Sequence, residues 1–189
     1  TKQRPGAGVP AKTRKRKDRT NPKRKGIPMN ITYNTLTPDL FLELYRSVGW
    51  EPPGTEQVKT ALRHTLVSFT AYDGSYPVGM VRLIGDGGMS FYIKDFAVRP
   101  SYQSKGVGSL LLNCLEKYIC DCISDGWTVS LELISTKQAV SFYQKNGFEQ
   151  RPGEQDGPGM MKMIRSAGTG RKEVRGNGIF EFDTGKAGK

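Results

Sequence analysis

The sequence predicts an α/β domain, a mixed central β-sheet flanked by helices. Three observations predict it. Apolar residues alternate at period two in some segments and recur at helical spacing in others. The early strand segments follow one another through short turns, as antiparallel pairs do, whereas a long helix separates the later ones, the connection that a parallel pair requires. The 189 residues, 36% hydrophobic and 10% aromatic, suffice for one domain with a real core.

The elements follow in order. Asn30–Thr35 reads as a short strand. Thr37-Pro38-Asp39 is a helix start, with a hydroxyl cap, proline at the first helical position and an acid in the first turn. Leu40, Leu44 and Val48 continue that helix and Gly49 ends it. Thr55–His64 reads as a second helix, with Val58 and Leu62 on one side. Val67, Phe69 and Ala71 alternate as a strand that turns at Tyr72-Asp73-Gly74-Ser75. Val78–Ile84 and Ser90–Val98 are two more strands, joined by the hairpin signal Gly85-Asp86-Gly87-Gly88. A long helix is predicted from Val107 to Ser124, with Leu111, Leu115, Tyr118 and Cys122 as its apolar stripe. Trp127, Val129, Leu131 and Leu133 alternate as a strand. Ser135-Thr136-Lys137-Gln138 has a capping-box pattern and opens another helix, which stops at Asn146-Gly147. Phe148–Gln150 and Met160–Ile164 read as the last strands.

Charge divides the chain in three. Residues 1–28 carry eleven Lys/Arg against the single acid Asp18, with no aromatic residue, and are expected to be a basic disordered arm. Met29 would suit a translation start, which would make that arm upstream sequence. Residues 29–165 carry 13 basic against 14 acidic residues, so the expected domain is near neutral despite the net +11 of the whole chain. Residues 166–189 are Gly-rich and basic and are expected to be a flexible tail. No apolar run approaches the roughly 18 residues of a membrane span. Cys114, Cys120 and Cys122 fall in one predicted helix, an odd cluster that makes no disulfide framework and points to a reducing, cytoplasmic setting.

The chemistry concentrates in Asp95–Leu112 (DFAVRPSYQSKGVGSLLL). A strand ends at Val98-Arg99-Pro100, Gln103-Ser104-Lys105-Gly106-Val107-Gly108 follows, and a helix begins. Glycines let backbone approach a ligand closely, and a helix N-terminus offers unpaired N–H groups and partial positive charge, so the segment suits a pyrophosphate. It is neither the dinucleotide fingerprint, whose first glycine is missing, nor the triphosphate loop, since no Gly-Lys-Ser/Thr follows. Spacing alone leaves a tight strand-to-helix turn as the alternative.

Here the sequence resembles the GNAT (Gcn5-related) N-acetyltransferases. Their phosphate signature, Gln/Arg-x-x-Gly-x-Gly/Ala after a strand ending in Val-x-Pro, is matched by Val98-Arg99-Pro100 and Gln103–Gly108. Their second signature, a helix ending in Phe-Tyr-x-x-x-Gly-Phe, is matched by Phe142-Tyr143 and Gly147-Phe148. The resemblance covers residues 30 to 165 and implies the GNAT-like fold, acetyl-CoA as acetyl donor, no metal, and direct transfer in a ternary complex to a primary amine. Ser47–Trp50 and the segment from Phe142 onward also look like a bacterial branch related to plastid enzymes that acetylate arylalkylamines or protein lysines.

The resemblance assigns roles residue by residue. Backbone N–H groups of Lys105, Gly106, Val107, Gly108 and Ser109, with Gln103 and Ser104, would hold the pyrophosphate. The backbone of Phe96, Ala97 and Val98 would pair with the pantetheine arm like an added strand. Val98 N–H would polarise the thioester carbonyl. Tyr143 matches the family tyrosine that gives the departing sulfur a proton. Asp95 is the candidate base or ammonium holder. In strict alternation it shares a face with Phe91, Ile93 and Ala97, which a bulge would change. Thr136 stands where many members have an asparagine that contacts the cofactor, and its hydroxyl still offers a hydrogen bond. Trp50, near Tyr45, is expected to contact the acceptor.

The remaining chemistry-bearing residues read as structural. His64 is expected to be structural, Cys114 a core residue, and Cys120-x-Cys122 lacks the partners of a zinc site. A small-molecule or peptide amine is the expected partner, a homodimer is compatible with the sequence, and no membrane is implied. A competing reading is a nucleic-acid- or ribosome-associated protein that uses the basic residues 12–25, although that arm has no aromatic residue for base stacking. A third is a cofactor-binding sensor without transfer activity.

Overall fold

The computed structural model describes residues 29–151. One compact unit runs through Asn146, and Gly147 opens a second, of which residues 147–151 are described and carry neither helix nor strand. The expected arm at 1–28, the tail at 166–189 and the strand Met160–Ile164 lie outside the described residues.

Among the described residues, five strands and four α-helices follow in the predicted order between residues 29 and 146. They are β1 (Met29–Tyr33), α1 (Pro38–Ser47), α2 (Thr55–Arg63), β2 (Val67–Asp73), β3 (Tyr76–Gly85), β4 (Ser90–Val98), α3 (Val107–Cys122), β5 (Ser130–Glu132) and α4 (Val140–Lys145). The sheet runs β1-β2-β3-β4-β5. The first three pairings are antiparallel, and β4 pairs with β5 in parallel across the α3 connection, so the mixed sheet is as expected.

Local chemistry explains the element ends. Thr37 Oγ1 accepts from Leu40 N–H at 3.2 Å, with Pro38 at the first helical position. In the β3–β4 hairpin, Asp86 Oδ1 accepts from the backbone N–H of Gly88, Met89 and Ser90. Those donors hold its carboxyl at about 2, below the usual carboxylate range.

Both faces of the sheet are covered. Val78, Met80, Val81 and Leu83 of β3 are all fully buried, which takes a partner on each side. On one face Phe41, Leu42 and Leu44 of α1 and Val58 of α2 pack with Met80 and Ala97. On the other, α3 supplies Val107, Leu111, Leu112, Leu115 and Ile119. Each fully buried aliphatic side chain contributes about 1.5–3 kcal/mol.

Four expectations are corrected. The apolar stripe of α3 keeps the predicted Leu111 and Leu115 but continues on Ile119: Tyr118 is only half-buried and Cys122 is exposed. The strand predicted from Trp127 to Leu133 shrinks to Ser130–Glu132, because only these residues pair with β4, and Trp127 is exposed. The capping box does not form. Ser135 Oγ donates to Thr136 O at 2.7 Å instead, and Lys137–Ala139 make a single tight turn before α4. Phe148–Gln150 carry no strand.

Candidate functional site

The site begins with a bulge. Met80 faces Ala97 and Arg82 faces Lys94, so Val81 stands opposite both Asp95 and Phe96. Two residues against one bend β4 and reverse its alternation. Phe91 and Ile93 therefore belong to the α3 face, paired with Gly85 and Leu83, while Ala97 belongs to the α1 face with Met80. Strict alternation, which grouped Asp95 with Phe91, Ile93 and Ala97, fails for this reason. Asp95 adopts a left-handed φ of +49° and reaches Arg82 on the α1 side, with Oδ2 3.4 Å from Arg82 Nε.

β4 and β5 part before the bulge is reached. Their pairing ends at Tyr92 and Glu132, and no strand covers the rest of β4 on that side among the described residues. A cavity of about 530 Å³ fills the divergence. Tyr45, Trp50 and Glu51, at and after the end of α1, form one wall. Lys94, Asp95 and Phe96 form the floor, and Leu133, Ile134, Thr136 and Tyr143 close the far side. Tyr45 and Trp50 meet edge-on with centroids 4.9 Å apart, a rigid aromatic corner. Burial pushes the Asp95 carboxyl above its ordinary range, opposed by the charges of Arg82 and Lys94. Burial, and then the charge of Asp95, push the Tyr45 phenol up as well.

Val98 lies at the end of the same open edge. Arg99 N–H crosses to Val78 O at 2.9 Å, so alternation sends the Val98 N–H away from β3 and toward the divergence. Gln103, expected at the pyrophosphate, spends its side-chain amide on Val98 O at 3.0 Å and so fastens the loop to the strand end. Residues 103–106 are exposed, with Ser104 at φ +60° and Gly106 at +90°. A Cβ on Gly106 would meet nothing within 4 Å. The first α3 bond runs from Leu110 N–H to Gly106 O, which leaves the N–H groups of Val107, Gly108 and Ser109 without an intrahelical acceptor. The loop is thus an open anion cradle at the head of a 16-residue helix.

Gly108 has a packing role that spacing did not reveal. A Cβ there would come within 3.1 Å of the Phe142 ring. Phe142 stacks edge-on with Tyr143 at 5.0 Å and with Phe96 at 5.9 Å, and Phe96 meets Tyr143 at 6.3 Å. The head of α3, the bulged strand and α4 are therefore joined through three rings. Burial there pushes the Tyr143 phenol up to about 12, so it stays protonated throughout the neutral range.

Of the residues singled out in the sequence, Trp50, Asp95, Phe96, Thr136 and Tyr143 come together in one cavity. Ala97 does not line it, being buried under α1 with Met80. His64 is a helix-end residue whose Nδ1 lies 2.8 Å from Thr60 O. Cys114 is half-buried rather than core, and Cys120 and Cys122 are exposed. Sequence reasoning missed Arg82 and Glu51. Arg82 sits between Val81 and Leu83 in an apolar strand, and a charge interrupting such a run was the available signal.

Comparison with known proteins agrees with this geometry. Residues 65–150 match the acetyltransferase (GNAT) domain model. The chain is 30% identical over 143 residues to the chloroplastic GCN5-related N-acetyltransferase 1 of Arabidopsis thaliana, covering 75% of this chain and 69% of that protein. It is 31% identical over 114 residues to a ycf52-like N-acetyltransferase, uncharacterised, of Prochlorococcus marinus, covering 58% of this chain and only 61% of that protein. A solved GNAT-family acetyltransferase of Streptococcus pneumoniae superposes with a TM-score of 0.60 at 34% identity, over 74% of this chain and 100% of its own. With the divergent strands, the exposed loop heading α3 and the Phe142–Tyr143 pair already in view, these similarities establish that the chain belongs to the GNAT family of N-acetyltransferases.

Proposed function

We propose that the protein transfers the acetyl group of acetyl-CoA to a primary amine in a ternary complex. The observation that carries this reading is the convergence of Asp95, Tyr143, Trp50 and the open edge of β4 on one cavity. The donor fits the residues present: an exposed cradle with room over Gly106 suits its phosphates, and the Val98 N–H suits its thioester carbonyl. Acetyl-CoA supplies the activated acyl group, and the chain's residues do the rest. Asp95 holds the incoming amine and takes its proton, directly or through water. As the nitrogen bonds to the carbonyl carbon, charge building on the carbonyl oxygen is met by the Val98 N–H. The C–S bond breaks, and the sulfur takes the proton of Tyr143, which solvent then restores.

The cavity also limits the acceptor. Two carboxylates, Glu51 and Asp95, face one ammonium, Lys94, which suits a single positive charge better than a polycation. The Tyr45–Trp50 corner suits a flat or apolar body behind that charge. The test is thiol release from acetyl-CoA across arylalkylamines, polyamines, aminoglycosides, amino acids and lysine peptides. Monoamines with an aromatic group should be the best substrates. No release above background hydrolysis with any of them defeats the reading.

Trp50→Ala should raise the KM for the best amine about tenfold, the scale of one desolvated aromatic contact, while the KM for acetyl-CoA stays put. Steady-state kinetics with each substrate varied in turn checks it. An unchanged amine KM removes Trp50 from the acceptor site.

A further inference from the structure

Among the described residues, Arg82 is the one charged residue in the buried set. Its side chain is 8% exposed and that of Asp95 is 17% exposed. Its Cζ lies 5.9 Å from the Phe41 ring centroid, and Met80 precedes it on the same face of β3. A buried cation is costly, and an aliphatic side chain would fill such a place at no electrostatic expense. Arg82 Nε faces Asp95 at 3.4 Å and makes no hydrogen bond. The pair is thus an ion contact rather than a closed, fully bonded bridge, which leaves carboxylate acceptor capacity toward the cavity.

We propose that Arg82 is a positioning residue, which keeps Asp95 ionised and turned into the cavity so that Asp95 can receive the acceptor's ammonium. The proposal rests on the acetyl-transfer reading for its kinetic arm and on geometry alone for its titration arm. Two influences compete at Asp95. Burial favours the neutral acid, and the neighbouring cation favours the carboxylate. The other ionisable groups around the cavity are Tyr45 of α1, Glu51 after it, Tyr92 and Lys94 of β4, and Tyr143 of α4. Glu51 is exposed, so its like charge is screened by water. Lys94 is exposed, so its help is screened by water. Arg82 is the cation buried beside the carboxylate. Asp95 also sits at a left-handed φ, a position that aspartate tolerates better than most residues, so both backbone and partner fix its direction.

The experiment uses the full chain as parent, Arg82→Met, Arg82→Lys and Asp95→Asn. Carbon-13 NMR of labelled aspartate carboxyls follows the Asp95 titration without any turnover, with Asp95→Asn identifying its resonance. In parallel, kcat/KM for the best amine is measured against pH, and acetyl-CoA affinity is measured separately. In Arg82→Met the Asp95 midpoint should rise by about one to three pH units, and the acid limb of kcat/KM should rise with it. Acetyl-CoA affinity should not change. Arg82→Lys should recover most of the shift, which a purely structural arginine would not require. An Asp95 midpoint in folded Arg82→Met equal to that of the parent overturns the proposal. So does an acid limb that still moves when Arg82→Met is combined with Asp95→Asn. Should Arg82→Met not fold, the parent alone decides, because an Asp95 still protonated at pH 7 beside Arg82 also overturns it. A parent that acetylates no amine defeats the acetyl-transfer reading, and the titration then decides the ion pair separately.

Discussion

Tyr143→Phe should lower kcat by about two to four orders of magnitude and leave acetyl-CoA affinity unchanged, the range typical of losing a positioned proton donor. The substitution removes one hydroxyl and keeps the ring, so the contacts with Phe96 and Phe142 survive and α4 stays seated. The phenol is pushed up to about 12 by burial, so across the neutral range it is a donor and not a base. No basic limb below that value should therefore belong to it. Single-turnover rates with saturating acetyl-CoA, beside a direct binding measurement, separate the two effects. Turnover within twofold of the parent would assign the sulfur's proton to another source.

Gly106→Leu should weaken acetyl-CoA binding at least tenfold with a much smaller loss of stability. Nothing lies within 4 Å of the added Cβ, so the main cost to the fold is the left-handed backbone, about 1–2 kcal/mol. The side chain would instead project into the exposed cradle, where the phosphates are expected. Gly108 gives the opposite signature. Gly108→Val presses on Phe142 at 3.1 Å and, through it, on Tyr143, so kcat should fall more than affinity. Calorimetric binding and steady-state kinetics on both variants distinguish the two glycines. Equal affinity in Gly106→Leu and the parent would move the pyrophosphate elsewhere.

Most of the sheet and helix order was legible because local signals were strong and mutually consistent. Thr37-Pro38 opens α1, the Asp86 loop joins β3 to β4, and a 16-residue helix separates the parallel pair. The residues gathered in the cavity were legible through two short motifs, and through little else. What was not legible depended on pairing at a distance. The bulge at Asp95 exists because β3 offers one residue against two, and a single strand does not reveal its neighbour's register. The shortness of β5 likewise depends on where β4 turns away, so Trp127 and Leu133 alternate correctly and still remain outside the strand. Gly108 looked like a phosphate glycine because its packing partner, Phe142, lies 34 residues later.

The parting of β4 from β5 also gives the strand two kinetic personalities. Amides such as that of Arg99, bonded across to Val78, should exchange with deuterated water only on opening of the sheet. Amides on the other edge, such as that of Val98, face no strand among the described residues and should exchange far sooner. Along the end of β4, slow and fast positions should therefore alternate in the empty protein. A ligand that lies along this edge as an added strand should slow the fast set and erase the alternation. The strand would then report its own occupancy, with no label and no turnover. Exchange that stays alternating in the presence of saturating acetyl-CoA would show that the donor is held without backbone pairing along β4.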